Sequence, residues 1–118
     1  MPAPSPLAIA TSSVLRLVKE EASYRTELED QESKLQRFQQ NGAADDENLD
    51  YQLKQEQRAI DETKAMFPQL RQRIEDAVDK LLQQLSAEQS AGSESNAEEI
   101  TKAKEAIAEA KKGIREIA

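Results

Sequence analysis

Neighbouring carboxylates are the one chemical resource this chain has in quantity. Glu29, Asp30 and Glu32 form one group, and Asp45, Asp46, Glu47 and Asp50 form another. Grouped acids can hold a divalent cation or divide acid and base roles between them. Neither group has the company such chemistry needs. The chain has no histidine and no cysteine. That removes the usual general base, the commonest zinc ligand, thiolate metal sites, disulfides and thiol redox chemistry. A di-iron bundle centre would want Glu-x-x-His pairs, and a calcium loop would want spaced oxygen ligands around a glycine turn. Neither spacing occurs, nor does a glycine-rich phosphate loop or a nucleophile–base set. The acids read instead as a solvated helix face and as negative charge at a helix N-terminus, where the helix dipole favours it. The expectation is a protein that is not an enzyme, with no cofactor and no metal site.

The elements that carry these residues announce themselves by period. Leu53, Ile60, Phe67, Ile74 and Leu81 recur every seven residues, with Leu49, Leu70 and Ala77 between them. Such a repeat marks a helix packed lengthwise on other helices. Pro68 interrupts it without shifting its phase. Proline lacks an N–H and its ring crowds the preceding turn, at a cost of roughly 3 kcal/mol in a helix interior. In-phase apolar residues on both sides therefore predict one bent helix with Pro68 on its outer face. The carbonyl of Lys64 loses its helical donor there.

Pro2, Pro4 and Pro6 suggest a flexible N-terminal arm over residues 1–11, and Thr11-Ser12-Ser13 offers an N-cap. A first helix is expected over 12–41, with Val14, Leu17, Glu21, Tyr24, Leu28, Gln31, Leu35 and Phe38 inward and Gly42 as its left-handed cap. After a short turn, a second helix is expected over 46–86. Residues 87–94 read as a surface loop. Ser95-Asn96-Ala97-Glu98 matches a capping box for a third helix over 95–117. Its inward positions are Ile100, Ala103, Ile107, Ala110, Ile114 and Ile117, and Gly113 is a weak point costing about 1 kcal/mol against alanine. The fold class expected is all-α: an elongated antiparallel three-helix bundle, up-down-up and coiled-coil-like, in one domain over 12–118. The short third helix leaves the hairpin tip, roughly 34–53, as two helices only. Glu21, Gln31, Glu56, Thr63 and Gln84 occupy inward positions, either as register-setting polar residues or as a wet groove for a partner; register is the simpler reading. Phe67 is expected at the centre of the bundle and Arg71 in water beside it.

Composition agrees with a bundle. The 118 residues are 33% charged and 37% hydrophobic, and the four aromatics are Tyr24, Phe38, Tyr51 and Phe67. So little apolar material suits helices that each bury a stripe. The net charge of −7 is spread without a basic region. The electrostatic footprint of nucleic-acid binding is missing, and anionic membranes are disfavoured. The longest apolar run, Leu7-Ala8-Ile9-Ala10, is too short for a signal core or a membrane span. A cytoplasmic protein is expected, as monomer or homodimer.

Two stretches carry a resemblance. Val14-Leu15-Arg16-Leu17-Val18-Lys19-Glu20, followed by Tyr24, resembles the opening of the tubulin-binding cofactor A family. Glu62-Thr63-x-x-Met66-Phe67-Pro68, with Arg73-Ile74-Glu75-x-Ala77 after it, is similar to that family's proline motif. Phe67 stands where the family has a smaller aliphatic residue, the turn over 40–46 looks longer than usual, and residues 87–118 keep few family residues. The resemblance implies a three-helix chaperone that holds β-tubulin released by the cytosolic chaperonin until other tubulin-folding cofactors build the α/β heterodimer. Arg16, Lys19, Glu20, Met66, Pro68 and Arg71 are the expected partner contacts. The alternative is a structural or adaptor bundle that pairs with an unrelated helical partner or with itself.

Overall fold

The computed structural model describes residues 4–41, 47–90 and 97–117, and all its regular structure is helical. Helix α1 spans Pro6–Asn41, α2 spans Glu47–Ser90 and α3 spans Ala97–Ile117. Among the described residues there is no strand.

The first helix starts earlier than its sequence signals suggest. Ser5, not the Thr11–Ser13 run, is the cap: its hydroxyl accepts the Ala8 N–H at 3.0 Å, and its carbonyl accepts the Ile9 N–H at 2.9 Å. Pro6 follows at the first helical position, where a missing N–H costs nothing. The Thr11 hydroxyl donates back to the Leu7 carbonyl at 2.9 Å, so it is already inside the helix. Leu7 and Val14 are both fully buried and lie two turns apart. The apolar stripe thus reaches back to Leu7, and the arm expected over 1–11 is helical from Pro6 onward.

Other boundaries shift by less. Helix α2 continues to Ser90 through part of the loop expected over 87–94, because Ala87, Glu88 and Gln89 are good helix formers. Pro68 lies inside α2, which continues unbroken through it, and its side chain is exposed as its phase requires. The Gly42 cap, the 43–46 turn, the Gly92 loop and the Ser95–Asn96 cap lie outside the described residues.

Contacts along the chain gather into two compact units. The first contains residues 1–21 and 69–118, so it holds the start of α1, the end of α2 and all of α3. Its core is Leu7, Val14, Ile74, Val78, Leu81, Leu85, Ala103, Ala106, Ile107 and Ala110, flanked by Leu17, Val18, Ala77, Ile100 and Ile114. Burying a large aliphatic side chain fully is worth about 1.5–3 kcal/mol. Alanine is the common residue on the α3 side of this core, which lets that helix sit close to its neighbours.

Directions within the first unit follow from its contacts. The Ser5 hydroxyl donates to Glu99 Oε2 at 3.0 Å, near the start of both α1 and α3. Later along both helices, a Cβ at Gly113 would lie 3.7 Å from Glu21 Oε2. Helices α1 and α3 are therefore parallel here. Arg73 meets Glu20 at 3.6 Å, and the α1–α2 contact continues from there back to Pro6 and on to Lys80. Helix α2 is antiparallel to both, which gives the up-down-up order.

The second unit, residues 22–68, is built from α1 and α2 alone. Ile60 and Thr63 are its buried residues among those described, and the Thr63 hydroxyl donates to the Ala59 carbonyl at 3.0 Å. Lys34 reaches Glu56 across the helix pair at 3.0 Å and also lies over the Phe38 ring, 5.8 Å from its centre. Tyr24, Leu28, Leu35, Phe38, Leu49 and Leu53 are half-buried. Gln31, at an inward position, has its Oε1 buried without a protein partner.

Candidate partner-binding surfaces

Helix phase decides which side chains of the first unit face outward. Val14, Glu21 and the half-buried Leu17 and Val18 face inward, leaving Arg16 and Lys19 exposed. Glu20 is half-buried and tied to Arg73 of α2 at 3.6 Å. A surface pair of this kind is worth about 0–1 kcal/mol, so it orients the two side chains more than it stabilises the unit.

Between α1 and α2 of this unit lies a cleft of about 610 Å³. Pro6, Ile9, Ala10, Ser13 and Leu17 line it from α1, and Arg73, Asp76, Ala77 and Lys80 from α2. Its origin is in the side-chain sizes. Ala10, Ser13 and Ala77 line it with small side chains, which leave space that larger ones would fill. Ile9 stands at the edge with 54% of its surface exposed. Asp76 is held by Gln72, whose amide donates to it at 3.0 Å.

A second cleft of the same unit lies between α1 and α3, lined by Leu15, Lys102, Glu105, Ala106, Ala108 and Glu109. Leu15 is exposed there. In the second unit, Ser23, Thr26, Glu27, Asp30, Gln31, Lys34 and Glu56 form a polar hollow. Despite its acids, no group of three or more carboxylates among the described residues is placed to hold a metal ion.

The six expected contact residues divide between the units. Arg16, Lys19, Glu20 and Arg71 belong to the first, and Met66 and Pro68 to the second. Pro68 is exposed and Met66 half-buried. Two expectations need correcting. Arg71 does not stand in water: it is half-buried, and its Nε is sealed off without a partner. It does not line the α1–α2 cleft, whereas Arg73 does. The reason is angular, since Arg71 is about 200° around the helix from Arg73 at 100° per residue. Phe67 is half-buried rather than central; Leu70, three residues on, is the fully buried side chain. The cleft residues Ile9, Ala10, Ala77 and Lys80 were not legible as a surface. The one sequence signal there was the apolar run Leu7-Ala8-Ile9-Ala10, which is too short to span a membrane yet lies ahead of the expected helix.

These features define a class: an all-helical protein with clefts between its helices, exposed apolar and cationic side chains at their edges, and no catalytic constellation among the described residues. Residues 2–107 match Tubulin binding cofactor A, and the chain belongs to that family. It is 32% identical over 108 residues to the tubulin-specific chaperone A of Saccharomyces cerevisiae, covering 92% of each chain. It is 37% identical over 82 residues to the Bos taurus tubulin-specific chaperone A, covering 70% of this chain and 71% of the bovine one. The crystal structure of tubulin folding cofactor A from Arabidopsis thaliana superposes with a TM-score of 0.76 at 32% identity, over 90% of this chain and 92% of that one.

Proposed function

We propose that this chain is a tubulin-folding chaperone: it binds β-tubulin released by the cytosolic chaperonin and holds it until the α/β heterodimer is assembled. Membership of the tubulin binding cofactor A family across residues 2–107 is the observation that carries this reading. The physical character of the chain supports it. Holding a partner needs surface, not a reaction centre, and this chain offers exposed apolar residues such as Ile9, Leu15, Tyr51 and Leu82 without any nucleophile–base set. Its place of work is the cytoplasm, and its dealings with other tubulin-folding cofactors pass through the shared tubulin. No helix among the described residues is long and apolar enough to cross a membrane.

Arg16 and Lys19, exposed and adjacent in phase, are proposed contacts in the first unit, with Glu20 holding Arg73 beside them. Met66 and Pro68 are proposed contacts in the second. Arg71, with its Nε sealed, offers at most the rest of its guanidinium. The test mixes the purified chain with chaperonin-released β-tubulin and, separately, with α-tubulin, and separates complexes by gel filtration. A complex with β-tubulin alone is expected. No complex, or equal capture of an unrelated unfolded protein, would leave the adaptor reading instead. Sedimentation of the free chain reports whether it is a monomer or a homodimer.

A further inference from the structure

Resting on the chaperone reading, we propose that the α1–α2 cleft of the first unit receives an acidic amphipathic segment of the tubulin partner. Its apolar side chain seats between Ile9 and Ala77, and its carboxylates meet Lys80 and Arg16.

Three observations converge. The cleft is large enough for bulky side chains, at about 610 Å³, and its floor is Ala10, Leu17 and Ala77. Ile9 borders it with 54% of its surface in water, although its helix offers buried positions at Leu7 and Val14. An apolar wall beside an apolar floor is what an incoming side chain would cover.

Charge says what kind of segment. In a chain of net charge −7, this flank carries an excess of positive charge: Arg16, Lys19, Arg73 and Lys80 outnumber Asp76 and Glu20 in and beside the cleft. Lys80 and Arg73 line the cleft, and Arg16 lies on the stripe Ile9–Ser13–Arg16–Glu20, whose steps of three and four residues keep it on one side of the helix. Lys19 is exposed in the adjacent phase. Arg73 is answered by Glu20 at 3.6 Å, but Arg16, Lys19 and Lys80 make no ion pair among the described residues. A partner that steers by charge would have to be acidic here. The α1–α3 cleft differs in kind: Glu105 and Glu109 line it together with Lys102, so it offers no excess of positive charge.

The experiment uses the full chain and purified β-tubulin, with Ile9→Glu, Lys80→Glu and Leu15→Glu as separate variants. All three positions are exposed, so the fold should tolerate them, and helicity by circular dichroism checks that it does. Affinity is measured at low and high salt. Ile9→Glu and Lys80→Glu should each weaken binding about tenfold or more, as loss of an anchor or reversal of a facing charge does. Lys80→Glu should also flatten the salt dependence. Leu15→Glu, on the other cleft, should bind within about twofold of the parent. Folded Ile9→Glu and Lys80→Glu variants that bind like the parent would overturn the proposal. So would loss of binding in Leu15→Glu alone, which would move the partner to the α1–α3 face. If the parent chain itself fails to bind β-tubulin, the chaperone reading falls, and this proposal with it.

Discussion

Leu70 and Phe67 are neighbours on one turn of α2, yet only Leu70 is fully buried. Truncation removes the transfer energy of the lost atoms and adds a cavity term where the surroundings cannot collapse. Leu70→Ala should therefore cost about 2–5 kcal/mol, and Phe67→Ala should fall below the roughly 3–5 kcal/mol typical of a fully buried aromatic. Urea melts of the two variants give the comparison, and a larger loss at Phe67 would contradict the burial pattern. Gly113 yields a prediction of opposite sign. It lies inside α3, and an added Cβ would meet nothing nearer than Glu21 Oε2 at 3.7 Å, an ordinary contact. Gly113→Ala should stabilise the protein by about 0.5–1 kcal/mol, through helix propensity and a less flexible unfolded chain. A lower midpoint in the same melt would mean that the buried Glu21 carboxylate cannot tolerate the methyl group.

Among the elements, α2 carries a tension that propensity cannot explain. It runs 44 residues with Pro68 inside it, and the Lys64 carbonyl is left without its helical donor. Nothing buried holds the proline in place, since its side chain is exposed. Pro68→Ala should restore the hydrogen bond and raise stability by about 1–2 kcal/mol. That is less than the roughly 3 kcal/mol intrinsic penalty, because proline also restricts the unfolded chain. Stability and β-tubulin affinity should be measured together. A more stable variant that binds less well would place Pro68 in the partner contact, and one that binds equally would show a residue that only shapes its own helix. Gln31 makes the companion case on α1. Its Oε1 is buried without a protein partner, a state that costs about 1–3 kcal/mol. Gln31→Leu should raise the urea midpoint, and a drop would show that the amide sets the register of the helix pair.

For the whole molecule, the unequal distribution of α3 is what matters. Every α3 residue belongs to the first unit, and Ala103, Ala106, Ile107 and Ala110 form part of its core. No α3 residue belongs to the second unit. Ending the chain after residue 96 should therefore expose Leu7, Val14, Ile74 and Leu81 and unfold more helix than the 21 residues of α3 itself. Far-ultraviolet circular dichroism against temperature would show the excess loss. A decrease matching α3 alone would mean that the remaining parts of α1 and α2 stay packed without it.

Period and composition determined the helices, their number and most of their inward faces, because a seven-residue apolar repeat leaves a helix one way to bury its stripe. The positions of Ile60, Ile74, Leu81, Ala103, Ile107 and Ala110 were legible for that reason, as was a proline in phase with its helix. The stretches around Arg16 and Pro68 also resemble the family to which the chain belongs. What sequence could not supply was whatever depends on a neighbouring helix. Ser5 reads as part of a proline-rich arm until Glu99 and the Ala8 N–H meet its hydroxyl. Arg71 reads as a surface cation until packing seals its Nε, and Arg73 acquires its role only when Glu20 lies opposite. The α1–α2 cleft gathers small residues far apart in the chain, Ala10 and Ser13 from α1 and Ala77 from α2. Periodicity records which side of a helix is buried; the tertiary structure alone decides which residues of another helix it is buried against, and so where space and unpaired charge are left over.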